Sequence, residues 1–277
     1  MKMQALDLNK LNQFCKREIG RSGARVSLLV HDLTEGRDLI SIEAGHRVVS
    51  ASTIKTAIML AAFRLVLDGK LSLSQTVRVP EEEVLDDTLV FDAGMRECSL
   101  EEMITWMIVN SDNTATNVLI DVVGMEAVNG FCASLGLKST GLQRKMLDGA
   151  AVRSGRNNYT SAADQLLIYS ALFRESILTP GLCGLAKSIL LRQRDCTMAL
   201  RYLCGGESVS FAHKTGGLDF LRHDAGIFDL PGQAYYFGCF VTGCMEESDE
   251  NPVAERLIGT LSKAVYESFA AKKCNTM

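Results

Sequence analysis

The sequence predicts an α/β chain of the α+β type: one antiparallel sheet built from both chain ends, flanked by the terminal helices, and an all-helical lobe from the middle. Three observations predict it. The hydrophobic periodicity runs helix, two strands, many helices, three strands, helix. The chain has 277 residues, of which 47% are hydrophobic and only 4 are proline, enough for a substantial core and unlike a disordered segment. No internal repeat or linker interrupts it. The simplest packing pairs the opening hairpin with the closing strands. Residues 1–47 and 195–277 then form the sheet lobe, residues 48–194 the helical lobe, and the cleft between them is the place for a site.

Each element has a local reason. In "DLNKLNQFCKREI", Leu8, Leu11, Phe14 and Cys15 share one helical face. "ARVSLLVHDL", the turn "TEGRD" and "LISIE" read as a hairpin. After Ser52 the pattern becomes that of a buried helix, with Ile54, Ala57, Ile58, Ala61, Ala62 and Leu65 in phase and Gly69 closing it. "SLEEMITWMIVNS" opens with Ser99 and has Glu102 three residues later, the capping-box spacing. "NTATNVLIDVVG", "MEAVNGFCASLGL", "TSAADQLLIYSALFRESI" and "PGLCGLAKSILLRQ" are further helices, with the polar loop "RKMLDGAAVRSGRNN" among them. "SVSFAHKTG", "DAGIFDL" and "AYYFGCFVTG" read as strands before a final helix, "NPVAERLIGTLSKAVYESFAAKK".

Composition excludes several classes. The net charge is -4, and no Lys/Arg cluster with interleaved aromatics is present, so no nucleic-acid partner is expected. No apolar run reaches the length of a membrane span. The N-terminal stretch has no apolar h-region or small-residue cleavage site, so it reads as a helix rather than a signal peptide. Nine cysteines are scattered without CxxC or Cys/His metal spacing, the pattern of reduced core thiols. The expectation is a cytoplasmic monomer with no metal, no cofactor and no membrane partner, acting on a small molecule.

The chemistry starts at "SASTIK". Ser52 and Lys55 are three apart where the buried helix opens, so their side chains share a face. A serine hydroxyl needs a base to become a nucleophile. Lysine is a base only when neutral, and with a reference pKa of about 10.4 that costs roughly 4.6 kcal/mol at pH 7 in water. Burial, a second cation and the helix N-terminus all reduce the cost. Read locally, Ser52 is equally a helix cap and Lys55 a solvated first-turn residue. Two further triplets decide between these readings: "SDN" at Ser111, Asp112 and Asn113 between apolar helices, and "KTG" at Lys214, Thr215 and Gly216 on a strand, with Gly217 following.

In that order the three motifs carry the signature of class A β-lactamases and penicillin-binding proteins. The chain resembles this family of penicillin-recognising serine hydrolases along nearly its whole length, and the helix and strand order is similar to its two-lobe fold. The resemblance implies roles. Ser52 is the acyl-accepting nucleophile and Lys55 joins in its activation. Ser111 relays a proton to the leaving nitrogen. Asn113, read locally as a helix N-cap, donates to a substrate amide. Lys214 and Thr215 bind the substrate carboxylate, with Arg222 as a further candidate. The backbone N–H groups of Ser52 and Gly217 form the oxyanion hole. His213, next to Lys214, points to the opposite strand face.

One departure shapes the mechanism. Hydrolytic members of the family carry R-x-E-x-x-L-N in the loop after these helices, and the glutamate activates the deacylating water. Here Arg144 matches, but Met146 stands in the glutamate position and Ala150 in that of the asparagine. A thioether is no base. Asp148, two residues on, is the nearest carboxylate, and locally it reads as a turn residue before Gly149. The expected function is that of a serine hydrolase acting on cyclic amides, with weak or altered β-lactam hydrolysis. The alternatives are a penicillin-binding, peptidase-like acyltransferase and a non-hydrolytic ligand sensor on the same fold.

Overall fold

The computed structural model describes residues 7–92, 94–203, 209–245 and 252–273. In chain order it contains α1 (Leu8–Ser22), β1 (Arg25–Asp32), β2 (Arg37–Ile42), β3 (Val48–Val49), a 3₁₀ turn (Ala51–Ile54), α2 (Lys55–Leu67), β4 (Thr76–Arg78), a 3₁₀ turn (Glu81–Glu83) and β5 (Glu97–Ser99). Then come α3 (Leu100–Val109), α4 (Asn113–Val123), α5 (Met125–Ser134), α6 (Gly149–Arg153), β6 (Tyr159–Thr160), α7 (Ala162–Phe173) and α8 (Pro180–Leu191). The chain closes with β7 (Ser210–Leu218), β8 (Leu221–Leu230), β9 (Gln233–Thr242) and α9 (Val253–Lys273).

The two chain ends share one five-stranded antiparallel sheet in the order β2-β1-β9-β8-β7. β1 lies against β9 from Arg25 opposite Thr242 to Asp32 opposite Tyr235. Strand alternation divides the sheet's side chains between two cores. Leu28, Val30, Phe237 and Cys239 face α1 and α9, meeting Leu11, Cys15, Ile258 and Leu261. Leu29, Ala225, Tyr236 and Phe240 face the helical lobe. At its centre α2 is buried continuously from Lys55 to Phe63. The predicted capping box of α3 is present, with Ser99 and Glu102 each bonding the other's backbone N–H.

The structure adds detail the periodicity missed. The middle segment also carries two short antiparallel ribbons, β3 with β6 and β4 with β5. The polar loop "RKMLDGAAVRSGRNN" contains α6. β8 begins at Leu221, three residues before the predicted "DAGIFDL", because pairing with β7 and β9 recruits "LRH" despite its weak alternation. Arg222 is therefore a strand residue opposite Gly217 in the β7–β8 hairpin. Cys15, Cys98, Cys132, Cys183 and Cys239 are free thiols; Cys204 and Cys274 lie outside the described residues. Among the described residues, no helix is long and apolar enough to cross a membrane.

Gly226 is opposite His213 in the β7–β8 pair, and a Cβ there would lie 2.4 Å from the Ala212 carbonyl oxygen. Backbone cannot yield as a flexible side chain can. Gly226→Ala is expected to destabilise the fold by about 3 kcal/mol, the upper range for overpacking, read as a lower urea midpoint.

Candidate active site

The Ser52 segment is held in place by its backbone. Ser50 N–H donates to the Asn158 carbonyl at 2.9 Å, and the Thr53 hydroxyl donates to the Ser50 carbonyl at 2.7 Å. Between them Ala51 has a φ of 45°, a conformation that costs a non-glycine residue of order 1–3 kcal/mol and is typical of functional sites. β7 runs directly beside this turn. A Cβ on Gly216 would come within 3.1 Å of Ser52 N and 3.2 Å of the Ser50 carbonyl, so a side chain here would press the backbone of the Ser52 turn by a few tenths of an ångström. The next residue, Gly217, lines the same cleft as Ser52.

Two buried lysines bracket Ser111. Lys55 Nζ contacts the Ser111 carbonyl at 2.6 Å, Asn113 Oδ1 at 2.8 Å and Ser111 Oγ at 3.2 Å. Lys214 Nζ donates to Ser111 Oγ at 3.1 Å and to the Thr215 carbonyl at 2.8 Å. Ser111 itself has a φ of 54°, which turns both its carbonyl and its hydroxyl toward Lys55. Both amines are fully buried. Burial, then the positive charge of Lys214, hold the Lys55 pKa well below the ordinary lysine value, only partly opposed by Asp112 and Asp87. Burial also brings Lys214 down to about 8, against the opposing pull of Asp195 and Asp224. A neutral amine has two N–H groups and one lone pair. Lys55 has matching partners: two carbonyl oxygens for its hydrogens and one hydroxyl that can donate to its lone pair. Ser111 Oγ can then accept from Lys214 while donating to Lys55.

Asn113 sits one residue inside α4. The cap is Asp112, whose carboxylate accepts from Ala115 N–H at 2.7 Å. This leaves the Asn113 amide free for the cleft, where its Nδ2 donates to Asp87 at 2.6 Å.

The loop bearing Met146 is clamped on both sides. Asn117 accepts from Met146 N–H at 2.6 Å and donates to the Met146 carbonyl at 3.3 Å. Asn158 accepts from Gln143 and Arg144 N–H and donates to the Arg144 carbonyl. Met146 is buried in the wall of a cleft of about 960 Å³ shared with Ser52, Asn113, Asp148 and Gly217. Asp148 lines this cleft too, but one carboxylate oxygen caps α6 by accepting from Ala151 N–H at 2.9 Å.

Thr215 and Arg222 line a continuation of the cleft past Ser111. Arg222 donates to the Leu218 and Leu221 carbonyls and pairs with Glu255 of α9 at 3.4 Å. Asp195 is close by. Burial raises its pKa, but hydrogen bonds from Thr197 and Thr215 and the Lys214 charge outweigh this and leave it lowered. His213 faces away from the cleft, stacked on Phe211 and bonded to Asp224 at 2.8 Å.

The structure thus brings Ser52, Lys55, Ser111, Asn113, Lys214, Thr215, Gly217 and Arg222 around one cleft, from the first 3₁₀ turn, α2, the α3–α4 loop, α4, β7 and β8. Asp87, Asn158, Asp195 and Glu255 also line it, and buried Asn117 holds its wall through the Met146 backbone; none of these was read from the sequence. Each is a single polar residue outside any short motif, and its contacts to Asn113, Met146, Arg144, Thr215 or Arg222 are made across long stretches of sequence. The only sequence trace was the polar, acidic character of the loop holding Asp87.

Comparison with known proteins agrees with this arrangement. Residues 10–269 match the beta-lactamase enzyme family. The extended-spectrum beta-lactamase PER-1 of Pseudomonas aeruginosa is 25% identical over 242 residues, 82% of this chain and 76% of that protein. The structure of a beta-lactamase from Sphaerobacter thermophilus superposes with a TM-score of 0.82 at 26% identity, covering 96% of this chain and 98% of the other. PBP-A, a variant of which was solved as an acyl-enzyme complex with penicillin G, superposes with a TM-score of 0.83 at 25% identity, covering 98% and 99%. The fold, its motifs and these likenesses lead to one conclusion: the chain belongs to the beta-lactamase enzyme family and has the build of a serine β-lactamase-like hydrolase.

Proposed function

We propose that the protein is a serine hydrolase of the class A β-lactamase type, acylated at Ser52 by β-lactams or related amides and esters, with slow or altered deacylation. One observation carries the reading: two buried lysines meet at Ser111, which lines the cleft with Ser52, while the cleft wall has a thioether at Met146. Ser52 Oγ attacks the carbonyl carbon and its proton passes to the neutral amine of Lys55. The amide C–N bond breaks, and the leaving nitrogen takes a proton from Ser111 Oγ, which is resupplied from Lys55 or Lys214. The Ser52 and Gly217 amides stabilise the oxyanion. Lys214, Thr215 and Arg222 receive the substrate carboxylate.

Release of the acyl group requires an activated water. Met146 supplies no base, and Asp148 has one oxygen engaged as a helix cap. A long-lived acyl-enzyme follows. The likeness to PBP-A favours a second reading, a penicillin-binding acyltransferase that stalls on β-lactams.

Intact-protein mass spectrometry with excess benzylpenicillin, followed over time and mapped to the Ser52 peptide, tests this. A persistent penicilloyl mass on that peptide is the expected result. Loss of penicillin without an adduct means fast deacylation and a base other than residue 146. Neither adduct nor loss overturns the β-lactam reading.

The pKa of Lys214 sets a second expectation. Penicillin carries a carboxylate, so acylation should fall as pH rises through about 8 and Lys214 loses its charge. Lys214→Arg keeps its charge at any accessible pH and should remove that alkaline limb.

A further inference from the structure

We propose that Asp87 forms a subsite for a cationic amine, so that the enzyme favours β-lactams, esters or amides whose acyl group carries a free α-ammonium. The inference rests on acylation at Ser52 as described above and deepens it by naming the substrate class. Asp87 has no lysine or arginine within ion-pair distance among the described residues; its one hydrogen bond is from Asn113 Nδ2 at 2.6 Å. It is exposed and lines the same cleft as Ser52 and Gly217.

Its position is built rather than incidental. Two hydrogen bonds fasten the surrounding loop to the residues on either side of Asn113. Leu85 N–H donates to Thr114 Oγ1 at 2.9 Å, and the buried Thr88 hydroxyl donates to Asp112 Oδ2 at 2.5 Å. The Thr88 oxygen in turn accepts from Val90 and Phe91 N–H, and the Phe91 side chain is wholly buried. Glu83, at the start of the loop, pairs with Lys145 at 3.1 Å, joining it to the segment that carries Met146. A carboxylate with this much support is directed at the amide of Asn113.

The chemistry follows from which group Asp87 meets. Asn113 Oδ1 is used by Lys55 and one hydrogen of Nδ2 by Asp87, leaving one hydrogen for a substrate acyl-amide carbonyl. A substituent on the adjacent carbon of that acyl group then lies beside the Asp87 carboxylate. An uncharged or anionic substituent gains nothing from it, whereas an ammonium gains a charge-assisted hydrogen bond. Lys214 and Arg222 supply positive charge toward the other end of the cleft. The cleft is therefore complementary to a zwitterion with its carboxylate at Lys214 and its amine at Asp87.

Ampicillin and benzylpenicillin differ only in that α-amine, and their second-order acylation rate constants read the subsite directly. The ratio of ampicillin to benzylpenicillin is measured for the wild type and for Asp87→Asn. Asp87 also influences Lys55, so both rate constants will change in the variant, but the ratio removes whatever is common to the two substrates. The expected result is a ratio about fivefold higher in the wild type than in Asp87→Asn, the size of a partly exposed ion pair. Equal ratios with both substrates still acylating overturn the amine subsite and leave acylation at Ser52 intact. Absence of acylation by either substrate in the wild type overturns both.

Discussion

Lys55→Met is expected to slow acylation of Ser52 by about 10³-fold, within the range for loss of a positioned general base. Methionine keeps the length and unbranched shape of the lysine stem but has no amine. The loss should be kinetic more than structural. Lys55 is fully buried, and burial is the main cause of its lowered pKa, so removing the amine also removes a desolvation cost. The Ser111 carbonyl and Asn113 Oδ1 lose a donor, which opposes that gain. Lys55→Arg separates charge from basicity. A guanidinium supplies a cation and donors but cannot be deprotonated in the protein. It should therefore acylate as poorly as Lys55→Met. Recovery of the rate in Lys55→Arg would show that this residue acts through its charge and not as a base. Stopped-flow acylation by nitrocefin, alongside a urea unfolding curve, measures both consequences.

Met146→Glu is expected to shorten the acyl-enzyme lifetime by about 10²- to 10⁴-fold, the gain from introducing a general base. The substitution suits the site. Glutamate and methionine are both unbranched to Cγ, so the carboxyl carbon takes the place of the thioether sulfur. The main chain at this position is fixed by Asn117 through both its N–H and its carbonyl, so the new side chain starts from a held backbone. It enters a wall of the cleft that holds Ser52 and Asn113. Burying a carboxyl group there costs about 1–3 kcal/mol unless a water or an amide supplies its hydrogen bonds. Lower stability with faster release of the penicilloyl mass is the expected combination. An unchanged lifetime would mean that residue 146 does not face the ester, and that any natural deacylation draws on another group.

The fold was legible because its signals are local. The short apolar, β-branched run in "ARVSLLVHDL", the capping box at Ser99 and Glu102, and the glycine after "KT" each act within a few residues. Ser52, Lys55, Ser111 and Lys214 were legible because they occur in short ordered motifs, and the fold brings them to one point. The remaining site residues act over distance. Asp87 meets Asn113 across 26 positions, Asn117 meets Met146 across 29, and Arg222 meets Glu255 across 33. No periodicity records such pairs. The start of β8 at Leu221 was missed for a related reason: two flanking strands, not the propensity of "LRH", determine it. The role of Lys55 as a solvated first-turn residue, plausible from the sequence alone, is excluded by its complete burial.

The placement of β1 between β2 and β9 has a consequence for biogenesis. β1 is made early, yet its partner, ending at Thr242, emerges more than two hundred residues later. At ordinary translation speeds of about 5–20 residues per second, the open edge of β1 waits roughly 10–40 s for its pairing strand, and one face of the hairpin waits longer for α9. Ser52 and Ser111 are also synthesised long before Lys214. On the proposed mechanism, a nascent chain therefore carries the nucleophile without the machinery that activates it. The same mechanism has reactivity toward an acyl donor arise only when β7 to β9 have left the ribosome and closed the sheet.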